Sequence, residues 1–282
     1  MSQACGRLTL VGTPIGNLSD FSPRAIEALQ SCDFIAAEDT RVTLKLLNHF
    51  GIQKPLVSYH EHNKRERGEH LCTRLLGGEN GVLVSDAGMP AISDPGEDLV
   101  NLCHEKGIPV GVVPGPTAVC SALALAGLPT GRFTFEGFLD VNKKPRRAHL
   151  DSLKNETRTM VFYEAPHKLK GTLSDLLNAL GDRRIALVRE ITKIHEEVMR
   201  TTLTEACAKY EQEDPRGEFV IVVEGGAPIE KVAATPEEAA RLAKAYMNEG
   251  MSPSEAAKTA AAECGLKKGE VYRLLIKENG DV

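Results

Sequence analysis

Residues 82–96 read V-L-V-S-D-A-G-M-P-A-I-S-D-P-G. The apolar run over 82–85 predicts a buried strand, and the loop that follows holds two glycines, two prolines and two aspartates. The same pattern occurs twice more. Leu8–Val11 runs into Gly12-Thr13-Pro14-Ile15-Gly16-Asn17, and Val110–Val113 runs into Pro114-Gly115-Pro116-Thr117-Ala118. Phe34–Ala37 is a further strand, and each strand precedes an amphipathic segment, so this half of the chain reads as α/β. In an open α/β sheet, ligands sit in the crevice beyond the carboxyl ends of the strands. There glycine lets backbone approach a ligand and proline stiffens the approach. One such loop is ordinary turn chemistry; three together predict a crevice.

Helix starts carry chemical marks: Ser22 with Pro23 opens residues 25–29, and Asp94 with Pro95 opens a helix that Gly107 ends. Beyond Gly127 the texture changes. Strands are expected at 133–135, 159–163, 185–189, 198–203 and Phe219–Val223, with fewer helices between them, as in a mixed sheet with antiparallel members. Beyond Pro228 comes an Ala-rich, charged tail with two or three helices. Ser252-Pro253 starts one, Gly265 ends it, and 267–277 forms the next, which is helix-turn-helix spacing. The expected division is 1–127 as an N-terminal α/β domain, 128–228 as a second α/β domain and 229–282 as a helical tail.

The 282 residues include 34 basic and 39 acidic ones, a net charge of −5, so a polyanion would have to be held locally. No stretch approaches the roughly 20 apolar residues of a membrane helix. The first seven residues hold no apolar signal core, and the seven cysteines are scattered without C-x-x-C pairs, so reduced thiols in the cytoplasm are expected. G-x-x-x-x-G-K-[ST], G-x-G-x-x-G and H-E-x-x-H are all missing, which removes the usual kinase, dinucleotide and zincin readings. His60-Glu61-His62 could offer two imidazoles, but the charged run after it reads as a solvated helix start, and no metal is expected. Ser85-Asp86 lacks a nucleophile elbow. At the end of the Phe34 strand stand Glu38-Asp39-Thr40-Arg41. Asp39 or Thr40 can cap the next helix, while a Glu38–Arg41 pair would suit a charged pocket wall.

The strings G-T-P-I-G-N-L, A-A-E-D-T-R, S-D-A-G-M-P-A-I-S-D-P-G, P-G-P-T-A, F-E-G-F-L, F-Y-E-A-P-H-K-L, R-E-I-T-K-I-H-E-E and G-E-F-V-I-V-V-E-G occur in this order. Together they resemble the tetrapyrrole methylase superfamily, and within it the branch that methylates the 2′-hydroxyl of a cytidine in small-subunit ribosomal RNA. The likeness spans residues 7–225 and extends more weakly to the tail. Ile191 stands where leucine is usual, and Asp140 where proline is frequent. The resemblance implies a two-domain tetrapyrrole-methylase-like α/β fold with S-adenosyl-L-methionine in the interdomain cleft, a homodimer, and a ribose in the decoding region as target. It carries Asp86, Ala87, Gly88, Ile92, Asp94, Thr117 and Ala118 over as cofactor-side residues, with Pro14 counted among them. From the second domain it brings Phe162, Tyr163 and Glu164, and the Val223-Glu224-Gly225 edge.

A ribose hydroxyl is a poor nucleophile and benefits from a base. Glu38, Asp39, Glu190 and Lys193 are the candidates; Lys193 would need a lowered pKa, and Arg189-Glu190 could equally be an internal ion pair. RNA contacts are expected of Lys143, Lys144, Arg146 and Arg147, the densest cationic cluster, and of Lys267 and Lys268 at a possible recognition helix; Lys64, Arg65, Arg67 and Arg273 are weaker patches. Competing readings are a corrin-precursor C-methyltransferase of the same fold, a knotted methyltransferase, and a noncatalytic ribosome-binding protein. The cationic clusters and tail favour RNA, and the ordered loops argue against a knot.

Overall fold

A computed structural model describes residues 5–227 and 235–279. The chain divides into two compact units, Met1–Gly226 and Ala227–Val282. The first contains two five-stranded sheets. The division expected at 127/128 falls inside this unit, and the one at 228/229 lies outside the described residues.

The first sheet comprises β1 (Leu8–Val11), β2 (Phe34–Ala37), β3 (Leu56–Ser58), β4 (Gly81–Val84) and β5 (Val110–Val113), in the order β3-β2-β4-β1-β5. All its pairings are parallel. Alternate residues face opposite layers. Val11, Ile35, Ala37, Val82 and Val84 pack on α1 (Pro23–Ser31) and α2 (Thr40–His49); Leu8, Phe34, Ala36 and Leu83 pack on α3 (Lys64–Leu76) and α4 (Glu97–Glu105). Strand β3 was not legible in the sequence. It is three residues long, half-buried and at the sheet edge, too short to display a period.

The second sheet holds β6 (Phe133–Phe138), β7 (Thr159–Glu164), β8 (Arg184–Arg189), β9 (Glu197–Thr202) and β10 (Phe219–Val223), in the order β6-β7-β10-β8-β9. Only β6 and β7 run parallel; the other pairs are antiparallel, the mixed sheet expected. One face packs on α6 (Lys143–Ser152), α7 (Pro166–Leu180) and α8 (Leu203–Gln212) through Met160, Phe162, Leu187 and Ile221. The other face receives α5 (Ala118–Ala126), the helix that follows the first sheet's last strand: Val119, Ala122, Leu123 and Ala126 pack on Val161, Ala186, Val188, Val220 and Val222. Burying a Val or Leu contributes about 1.5–3 kcal/mol, so this contact is a principal bond between the two sheets.

In the second unit, α9 (Pro236–Asn248), α10 (Pro253–Cys264) and α11 (Lys268–Asn279) bury Ala239, Ala243, Ala256, Ala257, Ala260, Ala261, Val271 and Leu275. Thr235 and Glu238 form a capping box, Ser252 caps α10, and Gly265, at φ 67°, ends it where the sequence marks a stop.

Candidate active site

The loops after β1, β4 and β5 meet at the carboxyl edge of the first sheet. Thr13 N–H donates to the Gly88 carbonyl at 2.9 Å, Gly88 N–H returns a bond at 3.1 Å, and the Thr13 hydroxyl donates to the Ser85 carbonyl at 3.2 Å. A Cβ on Gly12 would lie 2.7 Å from Gly115 Cα, closer than real Cβ atoms come, so two backbones touch where side chains would normally separate them. Ala91 (φ 67°) and Ser93 (φ 65°) are held in the left-handed region, which non-glycine residues seldom adopt. Two hollows flank these loops. One of about 450 Å³ is lined by Asp20, Pro114, Gly115, Pro116, Ser121 and Thr192; the other, about 230 Å³, by Thr13, Pro14, Val42, Lys45, Ser85 and Asp86 among others.

Three carboxyls gather here. Burial, with Glu38 nearby, pushes Asp94 up to about 6 against a hydrogen bond from Ser85. Burial and Asp86 raise Glu38, and burial raises Asp86, which accepts from Asp39 N–H at 3.0 Å. Asp94 was expected to open α4. Instead Gly96, at φ 149°, occupies the cap position without a side-chain bond, which leaves the Asp94 carboxyl in the cluster. Asp39 does cap α2, accepting Arg41 N–H at 2.8 Å. The expected Glu38–Arg41 pair does not form: Arg41, 86% exposed, pairs with Asp39 at 2.6 Å and holds that carboxyl down near 2. A carboxylate held so firmly in its charged form is a poor proton acceptor.

The opposite wall comes from the turn between β8 and β9, where Glu190 (φ 53°) and Thr192 (φ 64°) are again left-handed. Glu190 accepts from Glu218 N–H and from Lys193 Nζ, both at 2.9 Å, and these bonds lower its pKa. For Lys193, burial opposes the charge, but hydrogen bonds to Glu218 and Glu190 outweigh it and the pKa is raised. The condition for Lys193 to act as a base is therefore reversed. Arg189 pairs with Glu197 at 3.3 Å rather than with Glu190. A Cβ on Gly16 would fall 2.6 Å from Lys193 Cγ and 2.7 Å from Thr192 Oγ1, so the β1 loop lies directly on this turn. Thr192 escaped the sequence reading; its buried Oγ1 has no hydrogen-bond partner among the described residues, and no pattern in the sequence marks it.

Tyr163 also faces the first sheet's loops. Burial pushes its hydroxyl up to about 12, with Asp94 among the neighbours that raise it. Its neighbour Phe162 alternates to the other face and is fully buried in the α7 core. Glu164 is buried too, accepting Ala165 N–H just before α7 and the Thr172 hydroxyl from within it. Glu224 is a clear correction. Because β10 runs antiparallel to β7, Val220 pairs with Tyr163 while Val223 pairs with Met160, so Glu224 stands at the far end of the sheet, bound to Arg184. Thr117 spends its hydroxyl on capping α5, where it accepts Cys120 N–H at 3.2 Å; Ala118 is half-buried, and Ala87 and Ile92 are exposed in the long loop.

The cationic cluster on α6 divides. Lys143 and Lys144 are exposed without an ion-pair partner among the described residues, and Arg147 is 87% exposed. Arg146 faces inward, bonding Asp175 at 2.6 Å and the Thr172 hydroxyl at 2.8 Å, so it anchors α6 on α7. In the tail Lys267 is exposed, and Lys268 donates to the Ser254 hydroxyl at 2.8 Å.

Two family models match the chain: tetrapyrrole (corrin/porphyrin) methylases over residues 7–207, and the RsmI C-terminal HTH domain over residues 233–279. A protein of Synechocystis sp. named ribosomal RNA small subunit methyltransferase I is 46% identical over 277 residues, 98% of this chain and 99% of that one. A protein of the same name from Thermotoga maritima is 48% identical over 220 residues, covering 78% of this chain and 99% of its own. Among solved structures, that of diphthine synthase overlays with a TM-score of 0.59 at 16% identity, over 78% of this chain and 90% of that one, a likeness of fold.

Proposed function

The chain belongs to the tetrapyrrole (corrin/porphyrin) methylase family, and from that premise we propose that it transfers a methyl group from S-adenosylmethionine to small-subunit ribosomal RNA, at the 2′-hydroxyl of a cytidine. Relatives of that name, matched along nearly their whole length, support the RNA substrate. The observation that carries the reading is the carboxyl cluster of Glu38, Asp86 and Asp94 at the loop edge. S-adenosylmethionine is a cation, and a carboxyl cluster of which Glu38 and Asp94 are half-buried fits such a ligand in charge. When bound, it supplies an electrophilic methyl group on its sulfonium.

In this reading Asp86 and Asp94 hold the cofactor's positive groups, with Pro14, Gly88, Thr117 and Ala118 shaping the surrounding wall. Glu38, half-buried and raised in pKa, accepts the ribose proton; Asp39, Glu190 and Lys193 fix the loops on either side. Well-oriented reactants account for about 7–11 kcal/mol of the barrier, and a base for a further factor of roughly 10²–10⁴. Lys143, Lys144 and Arg147 meet phosphates, joined by Lys267 and Lys268 from the tail. Residues 1–127 thus carry the cofactor side, 128–228 the opposing wall and 229–282 an accessory RNA contact. The family resemblance adds a homodimer, and the free cysteines accord with a cytoplasmic setting. No described helix is long and apolar enough to cross a membrane.

The test is to incubate the protein with methyl-labelled S-adenosylmethionine and small subunits lacking the modification, then digest the RNA to nucleosides. Label is expected in 2′-O-methylcytidine; label in no RNA nucleoside overturns the reading. In single turnovers at saturating cofactor Glu38→Gln is expected to lose about 10²-fold or more, and a wild-type rate would remove Glu38 as base.

A further inference from the structure

Strand β6 lies at the edge of the second sheet and carries Phe135 and Phe138. In a regular strand, residues three apart point to opposite faces. Here the register slips between Phe135 and Gly137, and Gly137 adopts φ 63°. The bulge turns both rings to one side, where both meet Tyr163 edge-on, at centroid distances of 5.0 and 5.5 Å. Bulges commonly re-aim side chains beside active sites. This one is next to the cofactor-side loop: a Cβ on Gly137 would lie 3.6 Å from Ser93 Oγ.

Phe138 is nevertheless 60% exposed, against 39% for Phe133 at the other end of the strand. A lone surface aromatic needs no explanation. Phe138 is not alone: the segment that follows presents Lys143 and Lys144, exposed and without ion-pair partners among the described residues, and then Arg147, 87% exposed and no nearer than 3.9 Å to Asp151. Lys143 lies five positions beyond Phe138, a reach of at most about 18 Å. An aromatic face beside unpaired cations is the combination that single-stranded nucleic acid requires, since bases stack on the ring and phosphates meet the charges. A purely apolar partner would leave those cations unmatched.

We propose that Phe138 is a stacking platform for an unpaired RNA base at the mouth of the cleft. The inference rests on the ribosomal RNA reading and names the side chain that grips the strand beside the reacting nucleotide. Tyr163 braces the ring from behind, and Lys143, Lys144 and Arg147 take the adjoining phosphates.

The sequence contains no tryptophan, so Phe138→Trp places a single indole at the platform. Its emission is expected to be quenched by an oligocytidylate. Phe138→Ala is expected to raise KM for small subunits about tenfold or more, with S-adenosylmethionine affinity unchanged, and Phe138→Trp to keep KM near wild type. A KM within twofold of wild type for Phe138→Ala overturns the proposal. So does an equal loss of cofactor affinity, which would make Phe138 a cofactor wall, or a changed oligomeric state in sedimentation, which would make it a contact between copies. Failure of the unaltered protein to methylate RNA is a separate result, and defeats the underlying reading instead.

Discussion

Asp94 is a carboxyl that folding makes harder to ionise. Its pKa of about 6 lies above the ordinary aspartate value of 3.8, so between about pH 4 and 6 the folded chain holds a proton that the unfolded chain has released. Stability from this group is therefore present at low pH and is lost as pH rises through that window. Asp94→Asn is expected to be more stable than wild type at pH 7.5, with the gap closing toward pH 4; thermal melts at the two pH values check this, and a gap independent of pH would assign the effect elsewhere. A cationic ligand reverses the balance by favouring the charged form, so affinity for S-adenosylmethionine is expected to fall below about pH 6 in wild type and less so in the variant. The loop holding Asp86 and Asp94 was marked in the sequence by its glycines and prolines at a strand end, but the two aspartates were assigned to the cofactor side by the family resemblance. Which carboxyl would be raised and which held charged was not legible: Glu38 and Asp39 are adjacent, and their opposite shifts depend on Arg41 and on Asp86, 47 residues away in sequence from Asp39.

Loops and strands show a different limit. The four longer strands of the first sheet are recognisable as continuous apolar runs, because a parallel sheet covered on both faces demands them. The glycines between them are readable as turn residues, yet their spatial partners are not. Gly12 and Gly115 are far apart in sequence and touch only because β1 and β5 are paired. Gly12→Ala is expected to destabilise the fold by about 1–3 kcal/mol through overpacking, to lower the melting temperature by several degrees and to weaken cofactor binding. Gly131→Ala is the matched control, since a Cβ there meets nothing within 4 Å; equal melting temperatures for the two variants would refute the contact. Antiparallel register explains the Glu224 error in the same way. A strand's residues are visible in sequence, but which end of it reaches the cleft depends on its neighbours' direction.

For the whole molecule, two α/β parts and a helical tail were apparent from changes in texture, but the helix that unites the sheets was assigned by chain order to the first. The Thermotoga maritima relative is matched by only 78% of this chain, and the tail has its own core. A chain ending at Gly226 is accordingly expected to retain cofactor affinity and single-turnover methyl transfer while its KM for small subunits rises; calorimetry and rapid-quench assays measure the two, and loss of cofactor binding would show that the units depend on one another. Within the larger unit, Thr117 caps α5 directly after the β5 loop, and Val119, Ala122, Leu123 and Ala126 embed the rest under the second sheet. Prising the walls apart would expose that apolar seam to water. The packing thus resists any change in the gap between them, and on the proposed RNA reading adaptation falls to the strand, whose nucleotide is expected to unstack and extend to enter.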